Sequence, residues 1–322
     1  MPIPFSIYTG GLMSIKRAFC RSSMTIFFAV CLLSAQDKFP SRNLTSDEAR
    51  NGFPSWSPDG KKIVYSYIDV LKGQRIFGLR KVSLEGGPLL PYTDFICEHP
   101  QWSPDGKYIV FDSDSGAGIR LISAEGGVPQ KFLPNSIRIT SGGLAFWSPE
   151  GSHLAFKDSS GVLWVYDLAT SLAKRVFQKE GAVAIPGCWS QDGKGVLVAL
   201  MDRKTRLSTL WNISADGTTQ RQITGHKDSL YRYLALSPDG SLLIYGVLQG
   251  RRVGLWIMSS EGGGSLPLAV SDQYSNESPA WSPEGKRIAF ASGRTGRGNI
   301  YVMDLDVAKV NAELKALGKQ SK

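Results

Sequence analysis

"WSPDG" occupies residues 56–60 and returns unchanged at 102–106. Near-copies follow: WSPEG at 147–151, WSQDG at 189–193, LSPDG at 236–240 and WSPEG at 281–285. The marker positions Trp56, Trp102, Trp147, Trp189, Leu236 and Trp281 recur every 42–47 residues. A period of that size signals a propeller or another repeat array, in which each unit is one supersecondary element stacked on its neighbours.

The text around each marker repeats as well. An alternating apolar run follows it, as in KIVYSY 62–67, YIVFDS 108–113 and RIAFAS 287–292. Val, Ile, Phe and Tyr at period two make a half-buried strand. A second strand then leads into an acid-glycine turn, as in LRKVSLEGG 79–87 and IRLISAEGG 119–127, the chemistry of turns that need positive φ. A short fourth strand is read at PLLPYT 88–93 and RQIT 221–224. Four strands per unit without a helical period predict an all-β fold over residues 41–306, a six-bladed β-propeller of four-stranded antiparallel blades.

The motif itself has a mechanical reading. Pro58 pre-sets φ for the first central turn position, Asp59 tolerates the second, and Gly60 takes the left-handed conformation that leads into the next strand. Trp56 ends the innermost strand and offers a large ring for burial between blades. A feature present in every blade serves what every blade needs, which is folding. Gln191 in place of proline and Leu236 in place of tryptophan predict that blades four and five are the least regular.

The sixth unit has only three strands before Asp306. Residues 307–322 read as a partly helical tail, with Val307, Val310, Leu314 and Leu317 on one stripe. The missing strand has a candidate at the other end of the propeller. Asn43-Leu44-Thr45 resembles strand-four text and is predicted to pair beside residues 299–304, closing the ring and removing its exposed edge.

The chain has 322 residues, 42% hydrophobic and 20% charged, with a formal charge of +9. Lys16, Arg17 and Arg21 lie in residues 1–35, which hold no acid. They precede the apolar run Met24–Leu33 and the small pair Ser34-Ala35, the layout of a secretory signal peptide within an N-terminal extension. A run of ten residues is too short to span a bilayer comfortably, so no transmembrane segment is expected in the mature chain. Cys31 invites lipidation, but Val30 stands where a small residue is expected. No block of five like charges argues for nucleic acid. Cys97 and Cys188 remain after the signal and form no CxxC, so buried thiols are expected rather than a disulfide framework or zinc site.

With six WSPDG-type units the chain resembles the TolB-like β-propeller repeat family, over about residues 41–306. TolB carries a separate α/β domain before its propeller, whereas only a dozen or so residues lie here between Ala35 and the first unit. The resemblance therefore implies the propeller, and an exported location, more than TolB's role in the envelope. Other propellers of this kind are fused to serine peptidases, but residues 307–322 leave no room for an α/β-hydrolase domain within this sequence.

Function is expected where the repeats disagree. Three to five residues before each marker stand Asn51-Gly52-Phe53, Cys97-Glu98-His99, Gly142-Gly143-Leu144, Ala184-Ile185-Pro186, Tyr231-Arg232-Tyr233 and Asn276-Glu277-Ser278. These triplets enter the innermost strands and ring one mouth of the channel. The candidate binding set is Asn51, Phe53, Glu98, His99, Tyr231, Arg232, Tyr233, Asn276 and Glu277, with Arg and Tyr the types enriched in binding hot spots. Glu98, His99 and Glu277 offer two carboxylates and an imidazole. No HxH or HExxH spacing supports a transition-metal site, and oxygen-rich capture of a divalent cation such as calcium is the alternative. No cofactor is expected. His153 and His226 have no evident serine partner and no G-x-S-x-G elbow exists. The basic loop GRTGRGN 293–299 lacks the Lys-Ser/Thr of a phosphate loop and reads as a hairpin.

The sequence therefore favours an exported, monomeric, non-catalytic binding or scaffold propeller that meets a protein or peptide partner in the cell envelope, periplasmic or secreted. The alternatives are a metal-dependent hydrolase or lyase at the channel mouth, with Glu98 and Glu277 as the only paired acids, and a sensor subunit of an envelope signalling complex.

Overall fold

The computed structural model describes residues 37–71, 73–86, 90–91, 97–113, 118–131, 133, 137, 143–224 and 229–320. The signal-like segment, Gly142 and His226 lie outside the described residues. Strand β1 (Ser41–Asn43) comes first among the described residues. Blade one follows as β2 (Arg50–Trp56), β3 (Lys62–Leu71), β4 (Gln74–Ser83) and β5 (Leu90–Pro91). Blade two comprises β6 (Glu98–Trp102), β7 (Tyr108–Ser113), β8 (Gly118–Ser123) and β9 (Gln130–Lys131). Blade three has β10 (Phe146–Trp147), β11 (His153–Lys157), β12 (Leu163–Asp167) and β13 (Leu172–Phe177). Blade four is built of β14 (Ala182–Trp189), β15 (Gly195–Asp202), β16 (Ser208–Ser214) and β17 (Gln220–Gln222). Blade five runs through β18 (Tyr231–Leu236), β19 (Leu242–Gln249), β20 (Arg252–Ser259) and β21 (Ser265–Ala269). Blade six takes β22 (Asn276–Trp281), β23 (Arg287–Ser292) and β24 (Asn299–Asp304), and helix α1 (Val307–Gln320) ends the chain.

Each of the six sheets is four-stranded and antiparallel. The first strands of neighbouring blades pack against one another around the axis, so the structure is the six-bladed propeller that the repeat predicts. Between blades lie apolar layers fed by alternate residues of adjacent sheets. In one such layer Ile63 and Tyr65 of blade one meet Ala289 and Ala291 of blade six.

Ring closure is made by β1, the fourth strand of blade six. Ser41 pairs with Met303, Arg42 with Val302 and Asn43 with Tyr301. The predicted latch was Asn43-Leu44-Thr45; the ladder begins two residues earlier. Leu44 still donates its amide to the Ile300 carbonyl at 2.8 Å, but Thr45 leaves the strand. Its hydroxyl instead accepts the Ile300 amide at 2.9 Å and meets Asn299 at 3.2 Å and Asn51 at 3.3 Å. Side chain replaces backbone there, and Thr45 is only 1% exposed. The 293–299 hairpin is the receptor for this latch. Arg294 pairs with Asp37 at 2.8 Å, Arg297 pairs with Glu48 at 3.0 Å, and the Gly298 carbonyl accepts the Asn51 amide at 2.7 Å. A Cβ on Gly298 would stand 2.7 Å from the Asn51 carbonyl oxygen, so the close approach requires glycine.

The WSPDG turn shows why serine and aspartate accompany proline and glycine. Ser57 donates its hydroxyl to Asp59 at 2.6 Å and accepts the Lys62 amide at 2.9 Å. Asp59 accepts the Lys61 amide at 3.0 Å. The same bonds recur from Ser103 and Asp105, Ser190 and Asp192, and Ser237 and Asp239. In all four turns the serine hydroxyl is the largest influence holding the aspartate below its ordinary pKa. The turns also touch each other. Pro58 packs beside Gly106, Pro104 beside Gly151 and Pro238 beside Gly285.

Blades four and five keep long strands, while blade five carries two register shifts, between Arg232 and Ala235 and between Leu255 and Trp256. Strands β15, β19 and β20 span 8 residues each. Gln191 occupies the proline slot against Gly240, and the Ser–Asp bonds hold the turn without proline. Blade three has the shorter inner strand, of 2 described residues.

The marker tryptophans bridge blades through their indole nitrogens. Trp56 donates to the Ala280 carbonyl at 3.1 Å, Trp147 to Gln101 at 3.3 Å, Trp189 to Phe146 at 2.9 Å and Trp281 to Ala235 at 3.0 Å. Trp102 departs from this pattern. It is half-buried and donates to Gly106 in its own turn at 3.1 Å. Helix α1 is capped by Asp306, whose carboxylate accepts the Lys309 amide at 2.9 Å. Val310, Leu314 and Leu317 pack on the layer between blades five and six, with Phe39 of the N-terminal segment in the same cluster.

Two stability measurements follow. Thr45→Val leaves the buried Ile300 amide without its acceptor, and should cost about 1–3 kcal/mol in urea unfolding. Deleting residues 40–46 should lower Tm on the order of 10 °C or more; an unchanged Tm for both removes the latch. Trp281→Ala should cost about 3–5 kcal/mol and Trp102→Ala roughly half as much, because its ring is only partly buried. Equal losses would contradict the difference in their bonding.

Candidate functional site

The innermost strands carry a shared irregularity. Register shifts between Gly52 and Ser55, Glu98 and Gln101, Arg232 and Ala235, and Glu277 and Ala280. At the centre of each shift the residue three before the marker takes a left-handed conformation: Phe53 φ 52, His99 φ 51, Tyr233 φ 54 and Ser278 φ 55. Leu144 of blade three does the same at φ 50. In blade four that position is Pro186, whose ring forbids positive φ, and the shift falls one residue later, between Pro186 and Cys188. Gly187 is the residue left out of the ladder there, and the strand's close approach to the Leu234 side chain, 2.4 Å from where a Cβ would stand, requires glycine. These bulges re-aim a side chain from every blade toward the axis.

The result is a cavity of about 400 Å³ lined by all six blades. Phe53, His99, Leu144, Pro186, Tyr233 and Ser278 each reach it. The left-handed residue at each bulge breaks strand alternation and sets the predicted residues apart. Asn51, Tyr231 and Asn276, two positions before the bulge, turn away from the axis and are buried. Asn51 joins the latch through Asp47 at 2.6 Å. Tyr231 stacks edge-on against Tyr245 at 5.4 Å, and Asn276 donates to the Ala269 carbonyl at 3.2 Å. Of the middle positions Arg232 lines the cavity, while Glu98 and Glu277 are not among its lining residues. Phe53, His99, Tyr233 and Arg232 are therefore the members of the predicted set that the fold brings together.

Phe53 packs on the His99 ring at 4.0 Å and on Tyr233 at 6.0 Å. His99 Nδ1 lies 2.8 Å from Asp112, and the His99 side chain is 14% exposed. Burial works against the imidazolium, but the charge and hydrogen bond of Asp112 prevail and hold the His99 pKa above its ordinary value. Lys157, across the same wall, is pulled down by burial, against the attraction of Asp112 and Asp158. Burial raises the Tyr233 phenol, with Glu277 reinforcing it and Arg232 opposing, so the phenol keeps its proton.

Several lining residues escape the triplet reading. Gln101 and Phe146 sit just before their markers, Lys157 and Met201 come from second strands, and Arg206 from the turn between β15 and β16. Proline two residues before the marker, at Pro54, Pro100 and Pro279, was a legible sign of the bulge, since a strand proline cannot extend the ladder. A larger hollow of about 690 Å³ lies on blade four, outside the channel, lined by turn residues including Asp192 and Asp216. Its carboxylates already bond within their own turns.

His153 does have a serine neighbour, contrary to the sequence reading: Ser152 Oγ lies 2.7 Å from its Nδ1. Ser152 also donates to Glu150 at 2.8 Å, and Asp167 is 3.9 Å from the other ring nitrogen. That arrangement sits on a blade-three turn outside the channel cavity. Burial pushes the Cys188 thiol up to about 12, so it is not a nucleophile at neutral pH.

No family model matches the chain. Over 260 residues it is 26% identical to an uncharacterised protein of Agrobacterium fabrum, spanning 74% of this chain and 83% of that protein. Over 108 residues it is 34% identical to the Tol-Pal system protein TolB of Anaeromyxobacter dehalogenans, spanning 34% of this chain and 24% of that protein. TolB of Acinetobacter baumannii superposes with a TM-score of 0.59 at 18% identity, over 77% of this chain and 64% of that one. An oligogalacturonate lyase in complex with manganese superposes with a TM-score of 0.59 at 13% identity, over 85% and 95%. Likeness at that identity is of fold. A manganese site would need converging ligands, and among the described residues no three of His, Cys, Asp and Glu form such a cluster. Glu98, His99 and Glu277 accordingly do not make one, and the residues present do not fit that metal.

His99 supplies a direct check of the channel electrostatics. Its pairing with Asp112 stabilises the fold below the unfolded-state pKa of histidine, about 6.5, and that contribution fades as pH rises through the higher folded value. NMR titration should place the His99 midpoint above about 6.5, and Asp112→Asn should lower it; a midpoint unmoved by Asp112→Asn would break the pairing. Six blades, each turned by a WSPDG-type motif and closed by the chain's own N-terminal strand, together with the likeness to TolB in sequence and in fold, make this chain a TolB-like β-propeller.

Proposed function

We propose that the chain is an exported, non-catalytic binding propeller that receives a segment of a protein partner in its channel. The observation that carries this reading is the convergence of all six blades on one cavity of about 400 Å³. That volume is of the size that encloses a ligand rather than a flat protein face. Phe53 and Tyr233 give it rigid aromatic anchors, and Arg232 a polar one, the side-chain types that dominate binding energy. The reactive groups are otherwise engaged: His99 with Asp112 and Tyr233 as a protonated phenol.

Two further points support the reading. The curated relatives named TolB belong to a Tol-Pal system, although the matching stretch is about a quarter of their length. No helix among the described residues is long and apolar enough to cross a membrane, which accords with export behind the signal-like N-terminus. A lyase reading draws on shared fold alone.

Tagged wild type, Lys107→Ala and the double variant Phe53→Ser/Arg232→Ala, each expressed in its own host and used to capture proteins from the cell-envelope fraction, test the reading. Lys107 is exposed on a turn away from the channel. One protein should be recovered equally by wild type and Lys107→Ala, and about tenfold less by the double variant. Equal recovery by all three would move binding away from the channel.

A further inference from the structure

We propose that the channel selects an acidic peptide, its carboxylates taken by Arg206, Arg232 and Lys157 and its apolar side chains by the aromatic wall. This rests on the reading that a partner segment enters the channel, and adds the chemistry of that segment.

The first observation is a one-sided charge. The ionisable groups of ordinary acidic or basic type that line the cavity are His99, Lys157, Arg206 and Arg232, and no carboxylate is among the described lining residues. Acids stand behind that lining: Asp112 is bonded to His99, Asp112 and Asp158 attract Lys157, and Glu277 acts on the Tyr233 phenol. Lys157, Arg206 and Arg232 take part in no ion pair among the described residues. Three cations thus line a concavity whose walls are largely apolar, with no carboxylate among the described lining residues to pair with them.

The second observation is where the cations stand. Arg206 closes the turn between β15 and β16 at φ 64, a conformation that glycine adopts at less cost. A large charged residue at that position places a guanidinium at the channel mouth, and strain of this kind collects at functional sites. The third is an orphan. Ser278 is 7% exposed, lines the cavity, and its hydroxyl has no hydrogen-bond partner. A buried hydroxyl without a partner is rare, and this one belongs to a residue of the cavity wall.

The walls favour a peptide over an acidic sugar. Gln101, Tyr233 and Ser278 are the neutral polar side chains that line the cavity. An oligouronate would bring several hydroxyls per ring into a space lined by Phe53, Leu144, Phe146, Ile185 and Met201. Leaving those hydroxyls unpaired is costly. A peptide that alternates apolar and acidic side chains matches both parts of the surface.

Fluorescence anisotropy on the intact protein tests this with three labelled hexapeptides, alternating Phe with Glu, with Gln or with Lys, and with trigalacturonate as competitor. The Glu peptide should bind at least about tenfold more tightly than the Gln peptide, and the Lys peptide more weakly than either. Arg206→Gln should shrink that preference several-fold, and Arg232→Glu should reverse it in favour of the Lys peptide. Arg206 is exposed, so its variant keeps the test open where Arg232→Glu fails to fold. Equal binding of Glu and Gln peptides, both lost in Phe53→Ser, overturns the charge preference while leaving channel binding intact. Displacement by trigalacturonate at lower concentration than by unlabelled Glu peptide overturns the peptide in favour of an acidic sugar. Failure of every probe to bind also overturns the inference, while the envelope capture separately judges the partner reading.

Discussion

A ring of sheets is stable only if its ends meet. Each blade buries its two faces against neighbours, and an array that failed to close would leave two apolar faces and two strand edges in water. Here the closing contact joins residues more than two hundred and fifty positions apart, through the β1–β24 ladder and the Thr45 hydroxyl. Such a contact forms late, because its loop-closure entropy has to be met by contacts already in place. The structure reinforces it accordingly: Arg294 on Asp37, Arg297 on Glu48, and Phe39 sharing a core with helix α1. The N-terminal segment, the 293–299 hairpin and the C-terminal helix are one closure device contributed by three distant parts of the chain.

The WSPDG turns lie at the opposite end of the inner strands from the bulges. Their serines and aspartates are spent on turn bonds, and their prolines pack on the glycines of the next turn. That end of the ring is therefore fixed by repetition. At the bulged end the chain departs from regular pairing, and residues that no blade requires for folding are turned into the channel. Five non-glycine residues in left-handed conformations around one axis are a recurring local cost, offset by the regular ladders on either side.

The legible part of this protein was the part written six times. Repeat spacing and period-two patterning carried the fold, and the tail of blade six carried the idea of the latch. The register of the latch was two residues off, because the Thr45 hydroxyl accepts the Ile300 amide in place of a backbone carbonyl, a substitution that strand patterning does not reveal. The site was half legible. Counting back from each marker found Phe53, His99, Arg232 and Tyr233, but treated three consecutive residues as equivalent. The bulge breaks strand alternation between the first and the third of them, so Asn51, Tyr231 and Asn276 are buried while Phe53, Tyr233 and Ser278 line the channel. Arg206 and Lys157 reach the channel from other strands and loops, and a single blade's text holds no sign that they converge there.

Separating the repeated end from the bulged end explains how one fold spans proteins as different as TolB and an oligogalacturonate lyase at 18% and 13% identity. Side chains at the bulge contribute little to the layers between blades, which draw on Ile63, Val110, Leu154, Val196 and their counterparts in the second strands. Exchanging Phe53, His99 or Tyr233 changes what the channel holds while leaving those layers untouched. The fold is therefore informative about stability and silent about ligand. The chemistry must be read from the lining residues of the particular chain, and here that lining is aromatic, apolar and, in its charged groups, basic.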